Sequence, residues 1–286
     1  MKDYYRKVPA ELVEQFMSFR QAHPLKPLVQ NGVTWEYLVS GEPSGKPLLL
    51  LPGALSTAES AWRTIGLLEQ GQYRLVCPNY PAEIGSMSGL ADGIAGVLDQ
   101  EQCQNVYLVG GSYGGMLAQV FVHRHPTRVS RLVLSHTYPP ESRRVKSVEP
   151  GMSLFRILPM FLVKKMLRDR MIGLLPPKPS AELLLVAAQV RETVDVRLTR
   201  QAALNTFLRM IEFDQQNFSP SDLADWQGKT LIMLAEDDPT TPEPLRKKLI
   251  ELYPGARLHT FKGSGHASSI LESEEYISVM MDFFEE

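Results

Sequence analysis

Val106-Tyr107-Leu108-Val109-Gly110-Gly111-Ser112-Tyr113-Gly114-Gly115-Met116-Leu117-Ala118-Gln119-Val120-Phe121 changes period halfway along. From Asn105 to Val109 it is almost continuously apolar, the mark of a strand buried on both faces. From Tyr113 onward the apolar positions Tyr113, Met116, Leu117, Val120 and Phe121 follow the i, i+3, i+4, i+7, i+8 spacing of an amphipathic helix. Between them lies Gly110-Gly111-Ser112-Tyr113-Gly114, a G-x-S-x-G pattern. With Gly and Ser each about 7% of residues, chance alone supplies that pattern about once in ten chains of this length. Its place between a buried strand and a helix is what makes it specific, because a sharp strand-to-helix turn lifts a serine hydroxyl into a cleft. Such a turn strains the backbone at Ser112 and needs neighbours without Cβ atoms. The competing reading is a plain glycine-rich turn holding a phosphate at the helix N-terminus.

The same alternation runs outward on both sides. Val33 to Val39 reads as an exposed strand and Pro47 to Leu51 as a buried one ending at Pro52-Gly53. A helix follows at Ala58 to Glu69, then a strand at Tyr73 to Cys77, a helix around Leu90 to Leu98 and, beyond the serine, a strand at Val129 to Leu134. Strand and helix at this spacing imply parallel crossovers and an α/β sheet. The rhythm stops at Tyr138-Pro139-Pro140. From there to Ser219 the pattern predicts only helices, at Leu154 to Arg170, Ala181 to Val194 and Arg197 to Ile211, and the segment carries 13 basic against 8 acidic residues. After Pro220 come a strand at Thr230 to Leu234, a helix at Pro242 to Leu252, a strand at Ala256 to Phe261 and a helix at Ser273 to Phe284. The expected organisation is a core formed by residues 1–137 and 220–286, split by a helical cap at 138–219.

Composition narrows the class. The chain has 286 residues, a formal charge of −2, 44% hydrophobic and 22% charged residues, a globular average with no basic excess to neutralise phosphates. Nucleic acid is therefore not expected as a partner. Cys77 and Cys103 are too few for a disulfide framework or a metal cluster. Residues 152–175 are apolar but interrupted by Arg156, Lys164, Lys165, Arg168, Asp169 and Arg170, so an amphipathic helix and no transmembrane segment is expected. Met1 to Lys7 lacks the apolar stretch of a secretory signal, which places the expectation in the cytoplasm. Nothing in the sequence bears on the oligomeric state.

A serine hydroxyl needs a base, and the base needs an orienting acid. Of six histidines, His266, in Gly263-Ser264-Gly265-His266, lies in a loop between the last strand and the last helix, at the carboxyl end of a parallel strand where α/β sites form. His23, His123, His125, His136 and His259 lie elsewhere in the pattern. The acid should fall between serine and histidine in chain order. Glu236, Asp237 and Asp238, after the strand ending at Ala235, all compete, and spacing does not choose among them. An oxyanion hole would take the backbone amides of Tyr113, directly after the serine, and of Ala54, in the loop Pro52-Gly53-Ala54-Leu55-Ser56.

These residues resemble the α/β-hydrolase fold superfamily over nearly the whole chain, from Val33 to Phe284. The resemblance implies a mostly parallel eight-stranded sheet flanked by helices, a cap after the sixth strand and a Ser–Asp–His triad. Leu231 to Pro242 is similar to the superfamily's G-x-x-D-x-x-x-P acid loop, with Ala235 in the glycine position, and this similarity points to Asp238 as the acid. Pro52 stands where the superfamily usually has histidine, a departure that touches loop geometry and no catalytic group. Gly111 to Ala118, with His125-Pro126 and Arg128-Val129, resembles the elbow of proline iminopeptidases. Leu51-Pro52, Leu158-Pro159-Met160-Phe161 with Lys164-Lys165, and Leu252 to Arg257 resemble the maspardin branch, whose members are regarded as binding proteins without a full triad.

Three functions follow as expectations. The first is a carboxylic-ester hydrolase working through Ser112, Asp238 and His266, with Ala54 and Tyr113 as the oxyanion hole, no cofactor, no metal, and a small-molecule ester with an apolar part as substrate. The apolar stripe Leu154, Phe155, Leu158, Phe161 and Leu162 would line its acyl pocket or, the plainer reading, pack cap against core. The second is an aminopeptidase, which would aim cap carboxylates from among Glu182, Glu192, Glu212 and Asp214 at the site. The third is a maspardin-like binding protein. The basic cap is read as a solvated face, and the two cysteines as reduced packing residues.

Overall fold

The computed structural model describes residues 3–286. Helix α1 (Ala10–Ala22) leads into strands β1 (Lys26–Gln30), β2 (Val33–Gly41) and β3 (Lys46–Leu51), then α2 (Trp62–Leu68), β4 (Tyr73–Pro78), α3 (Met87–Gln100), β5 (Val106–Gly111), α4 (Tyr113–Arg124) and β6 (Val129–Ser135). Four helices follow, α5 (Val145–Ile157), α6 (Met160–Ile172), α7 (Ala181–Glu192) and α8 (Arg200–Asp214). The chain closes with β7 (Lys229–Ala235), α9 (Glu243–Leu252), β8 (Arg257–Phe261), α10 (Ser268–Leu271) and α11 (Ser273–Glu285). The eight strands form one sheet in the order β1-β2-β4-β3-β5-β6-β7-β8. Only the β1–β2 and β2–β4 pairs are antiparallel; the rest are parallel.

The continuous apolar strands are explained by helices on both faces. Leu49 and Leu51 of β3 join Leu108 of β5, Leu132 and Leu134 of β6 and Ile232 and Leu234 of β7 in a core shared with α3 and α4. Their alternates, Leu48, Leu50, Val109, Val133, Leu231 and Met233, face the opposite core, closed by α2 and α11. Since successive strand residues point to opposite faces, a sheet covered twice leaves no polar position along a central strand. Cys77 and Cys103 are free and buried in these cores, and burial pushes both thiols up.

The structure departs from the sequence expectation in the helical segment and ahead of β2. The helix expected over Leu154 to Arg170 is two helices, parted at Leu158-Pro159, where Leu158 turns extended at φ −63°, ψ 144°. Proline carries no N–H and its ring crowds the preceding residue out of the helical region. The last helix of the segment starts at Arg200 because the Thr199 side chain accepts the Ala202 amide at 3.1 Å and caps it. Finally, α1 and β1 precede the first strand expected from the sequence. Strand β1 is an edge strand of five residues containing Pro27, and an edge open to solvent carries no clean alternation. Phe16 and Phe19 of α1 are buried; Phe16 packs with Val8, Leu185 and Ala188, so α1 rests against α7.

Among the described residues no helix is long and apolar enough to cross a membrane. No strand occurs between β6 and β7. The helices there share a small core of their own, Phe155, Val163, Leu167, Val194, Leu198 and Ala203.

Candidate active site

Ser112 sits between β5 and α4 with φ 52° and ψ −119°, a left-handed conformation that an L-residue holds only where its surroundings enforce it. The enforcement is steric. A Cβ on Gly114 would collide with the Leu51 carbonyl at the end of β3, and one on Gly110 would collide with the Gly114 carbonyl. At Gly111 the nearest atom is the Ser135 oxygen, 4.0 Å away, so of the paired glycines only the outer one of the pattern is obligatory for the turn. The Ser112 amide donates to the Ser135 carbonyl at 2.8 Å, and its own carbonyl accepts the Gly115 amide at 2.9 Å, opening α4.

His266 comes from the loop after β8. Its Nε2 lies 2.9 Å from Ser112 Oγ and its Nδ1 lies 2.7 Å from Asp238 Oδ2. A carboxylate only accepts, so Nδ1 carries the hydrogen and the neutral ring leaves Nε2 free to accept from the serine hydroxyl. Asp238 is 3% exposed. Burial works to raise its pKa, but the hydrogen bonds from His266 and Thr240 outweigh it and hold the carboxyl at about 2.

The three acids after β7 divide their work. Asp238 takes the histidine. Asp237 Oδ1 accepts the Gly265 amide at 3.1 Å and so anchors the histidine loop, where Gly263 and Gly265 adopt φ 69° and 54°. Glu236 is exposed. Thr240, absent from the sequence expectation, donates from its amide and its hydroxyl to Asp238 Oδ1, each at 2.8 Å. Its signal was the turn-forming run Asp238-Pro239-Thr240, in which an Asp side chain caps the backbone two residues on.

Behind His266 lies a buried polar chain that sequence reading set aside. His136, 5% exposed, meets Ser135 Oγ through Nδ1 and Ser268 Oγ through Nε2, each at 2.8 Å, and Ser268 meets Ser264 Oγ at 2.6 Å. Its ring stands edge-on to that of His266 at 5.7 Å. Burial and the neighbouring His266 push the His136 pKa down to about 4. Ser135 is its neighbour in sequence, but Ser268 lies 132 residues further along the chain, so no local signal marks the polar chain as a whole.

Ser112 and His266 open into a cavity of about 250 Å³ bordered also by Ala54, Leu55, Trp62, Met171, Leu185 and Gln189. Tyr113 follows the serine directly, while its ring borders a neighbouring cavity. Leu55, beside Ala54, has φ 55° and packs against the small core of the helical segment.

The stripe expected on the first half of that segment takes no part in the cavity. Phe155 is buried in the segment's own core, and Leu154 and Phe161 face outward; the apolar lining comes from Met171 and the Leu185-Val186-Val190 face of α7. Of the four acids considered for amine recognition, only Glu182 reaches the cavity, and it pairs with Arg63 at 3.2 Å. Glu192 holds Arg20 at 2.9 Å, Glu212 accepts from the start of α3, and Asp214 is buried beside Arg144.

A family model described as the alpha/beta hydrolase family matches residues 48–279. Maspardin of Danio rerio is 25% identical over 277 residues, which cover 93% of this chain and 85% of that protein. The 2-hydroxy-6-oxo-2,4-heptadienoate hydrolase of Pseudomonas putida is 26% identical over 265 residues, 84% of this chain and 89% of that protein. Among solved structures, a hydrolase from Pseudomonas aeruginosa superposes with a TM-score of 0.77 at 16% identity, over 91% of this chain and 98% of that one.

Proposed function

Since the chain belongs to the alpha/beta hydrolase family, we propose that it is a serine hydrolase of small-molecule carboxylic esters, with Ser112 as nucleophile, His266 as base and Asp238 as orienting acid. The observation that carries this reading is the unbroken chain from Ser112 Oγ through His266 to Asp238, with contacts of 2.9 Å and 2.7 Å. Residues 138–219 act in it as the cap, and residues 1–137 and 220–286 as the core.

In the reaction, Ser112 Oγ attacks the ester carbonyl carbon as its proton passes to His266 Nε2. Asp238, ionised at neutral pH, stabilises the imidazolium and fixes its tautomer. The carbonyl oxygen becomes an oxyanion held by the amides of Ala54 and Tyr113; each such donor contributes about 2.7–4 kcal/mol in the transition state. Collapse expels the alkoxide, which takes the proton from Nε2 and leaves an acyl-Ser112. Water then gives its proton to Nε2 and attacks the acyl carbon, and the second collapse returns the proton to Oγ and releases the acid.

The test is labelling with a fluorophosphonate followed by mass spectrometry. Label on Ser112, absent in Ser112→Ala, is the expected result. The likeness to maspardin supports a second reading, a non-catalytic binding protein; folded protein that takes no label would favour it over the hydrolase.

A further inference from the structure

Ser112 and His266 reach each other from different strands. The serine follows β5 and the histidine loop follows β8, with β6 and β7 between them. Three inter-strand steps amount to about 14 Å, so the loop has to fold back across the ends of β7 and β6 to bring Nε2 within 2.9 Å of Oγ. Two carboxylates tie it to the turn after β7, Asp238 through the His266 ring and Asp237 through the Gly265 amide. Neither reaches the strand beside the serine.

His136 does. It directly follows β6, the neighbour of β5, and its backbone is left-handed at φ 49°, a conformation that a non-glycine residue holds only where its surroundings enforce it. Its two ring nitrogens meet Ser135 Oγ and Ser268 Oγ, and Ser268 Oγ meets Ser264 Oγ. Ser264 and Ser268 are fully buried and stand two residues to either side of His266. On the other side, the Ser135 carbonyl accepts the Ser112 amide at 2.8 Å. A second connection thus runs from the backbone of the serine, through Ser135, His136 and Ser268, to both flanks of the histidine, and it bypasses the Ser112 hydroxyl.

The ring suits a fixed spacer. Kept neutral by burial, it offers one donor and one acceptor, and a hydroxyl can take either part. With both nitrogens met, the buried chain is satisfied and therefore rigid. The edge-on contact of the two imidazoles, at 5.7 Å and 85°, sets the ring of His266 directly against this support.

We propose that His136 is a positioning residue, which sets the distance between Ser112 Oγ and His266 Nε2 by fastening the histidine loop to the end of β6. The proposal rests on the hydrolase reading, in which proton transfer requires that distance to stay within hydrogen-bond reach.

The experiment measures kcat and KM on one p-nitrophenyl ester for His136→Leu, Ser268→Ala and the double variant, with active sites counted by fluorophosphonate so that only folded protein enters kcat. A displacement of about 1 Å between reacting groups costs up to about a hundredfold in rate. His136→Leu should therefore lower kcat by about tenfold or more with KM within about twofold, and Ser268→Ala should do the same to a smaller degree. Since both break one chain, the double variant should be no slower than His136→Leu. His136→Gln, which keeps a donor and an acceptor, should recover part of the rate. If His136→Leu does not fold, Ser268→Ala, which loses a single oxygen, carries the test. A kcat within twofold of the unaltered protein in each folded variant overturns the proposal, as does a lowered melting temperature with kcat per site unchanged, which would mark the chain as structural alone.

Amide hydrogen exchange over residues 262–268 separates this inference from the hydrolase reading, because it needs no turnover. Faster exchange in Ser268→Ala and His136→Leu, with neither turnover nor label in the unaltered protein, would uphold the fastening of the loop and sink the hydrolysis. Unchanged exchange and kcat in the variants of a protein that does hydrolyse the ester would sink the proposal alone. Unchanged exchange without turnover would sink both.

Discussion

Asp237 and Asp238 are neighbours in sequence and differ only in what they touch. Asp238 faces His266 at 2.7 Å, whereas Asp237 reaches the Gly265 amide at 3.1 Å. On the proposed mechanism Asp238→Asn should lower kcat on the order of 10³- to 10⁴-fold by favouring the wrong histidine tautomer. Asp237→Asn keeps an acceptor oxygen for Gly265 and should cost less than about tenfold; steady-state rates on one ester decide between them. His136 makes a separate prediction about pH. Its pKa is near 4 in the fold against 6.5 for the free side chain, so the unfolded chain takes up its proton first as pH falls. Its contribution to stability is whole above about pH 6.5 and is lost as pH drops toward about 4. Asp214, with a carboxyl raised by burial from 3.8 to about 6, works the other way, since the folded state holds its proton more tightly and stability falls as pH rises through that window. His136→Gln should therefore flatten the loss of melting temperature on acidification between those pH values, leaving the opposite trend of Asp214 in view. An unchanged pH profile would mean the histidine is protonated in the fold.

At the scale of elements, the strand-to-helix turn at Ser112 depends on how closely α4 approaches β3. The Leu51 carbonyl occupies the place of a Gly114 Cβ, while Gly111 has 4.0 Å of room. Gly114→Ala should destabilise the fold by about 3 kcal/mol through backbone displacement, and Gly111→Ala by less than about 1 kcal/mol, as read from denaturant midpoints. Both changes are methyl additions two and one residues from the same serine, so their difference isolates packing from loss of flexibility. The break at Leu158-Pro159 is the counterpart in the helical segment between β6 and β7, where one proline turns a single amphipathic stretch into two helices and sends Phe161 outward.

Across the whole molecule, Arg20 of α1 joins Glu59, just ahead of α2, to α7. It contacts Glu59 of the core at 3.3 Å and Glu192 of α7 at 2.9 Å, and the Tyr5 hydroxyl donates to the same Glu192 carboxylate at 2.6 Å. The Glu59 side chain is 9% exposed, so removing Arg20 leaves a desolvated carboxylate with Arg197, 3.5 Å away, as its remaining ion-pair partner. Arg20→Met keeps most of the side-chain length and should cost about 2 kcal/mol of stability. On the proposed function, KM should rise more than kcat falls, because α7 carries cavity wall and no reacting group. Differential scanning calorimetry and steady-state kinetics on the same variant check the two halves of that statement.

Legibility followed locality. Apolar runs on doubly covered strands, glycines and prolines at their ends and the period of α4 are properties of consecutive residues, so the α/β sheet, the helical segment between its halves and the loops bearing Ser112, Glu236 to Asp238 and His266 could all be read from sequence. Spacing left three acids open; likeness to a family singled out Asp238, and the structure places that residue against the histidine. What no window of sequence carries is which distant side chains meet. The role of α1 as a brace, the chain through Ser135, His136, Ser268 and Ser264, and the unpaired amide of Gln189 at the cavity wall exist only once the crossovers and the helices between β6 and β7 are packed, because burial and pairing are relations between segments and not properties of any one of them.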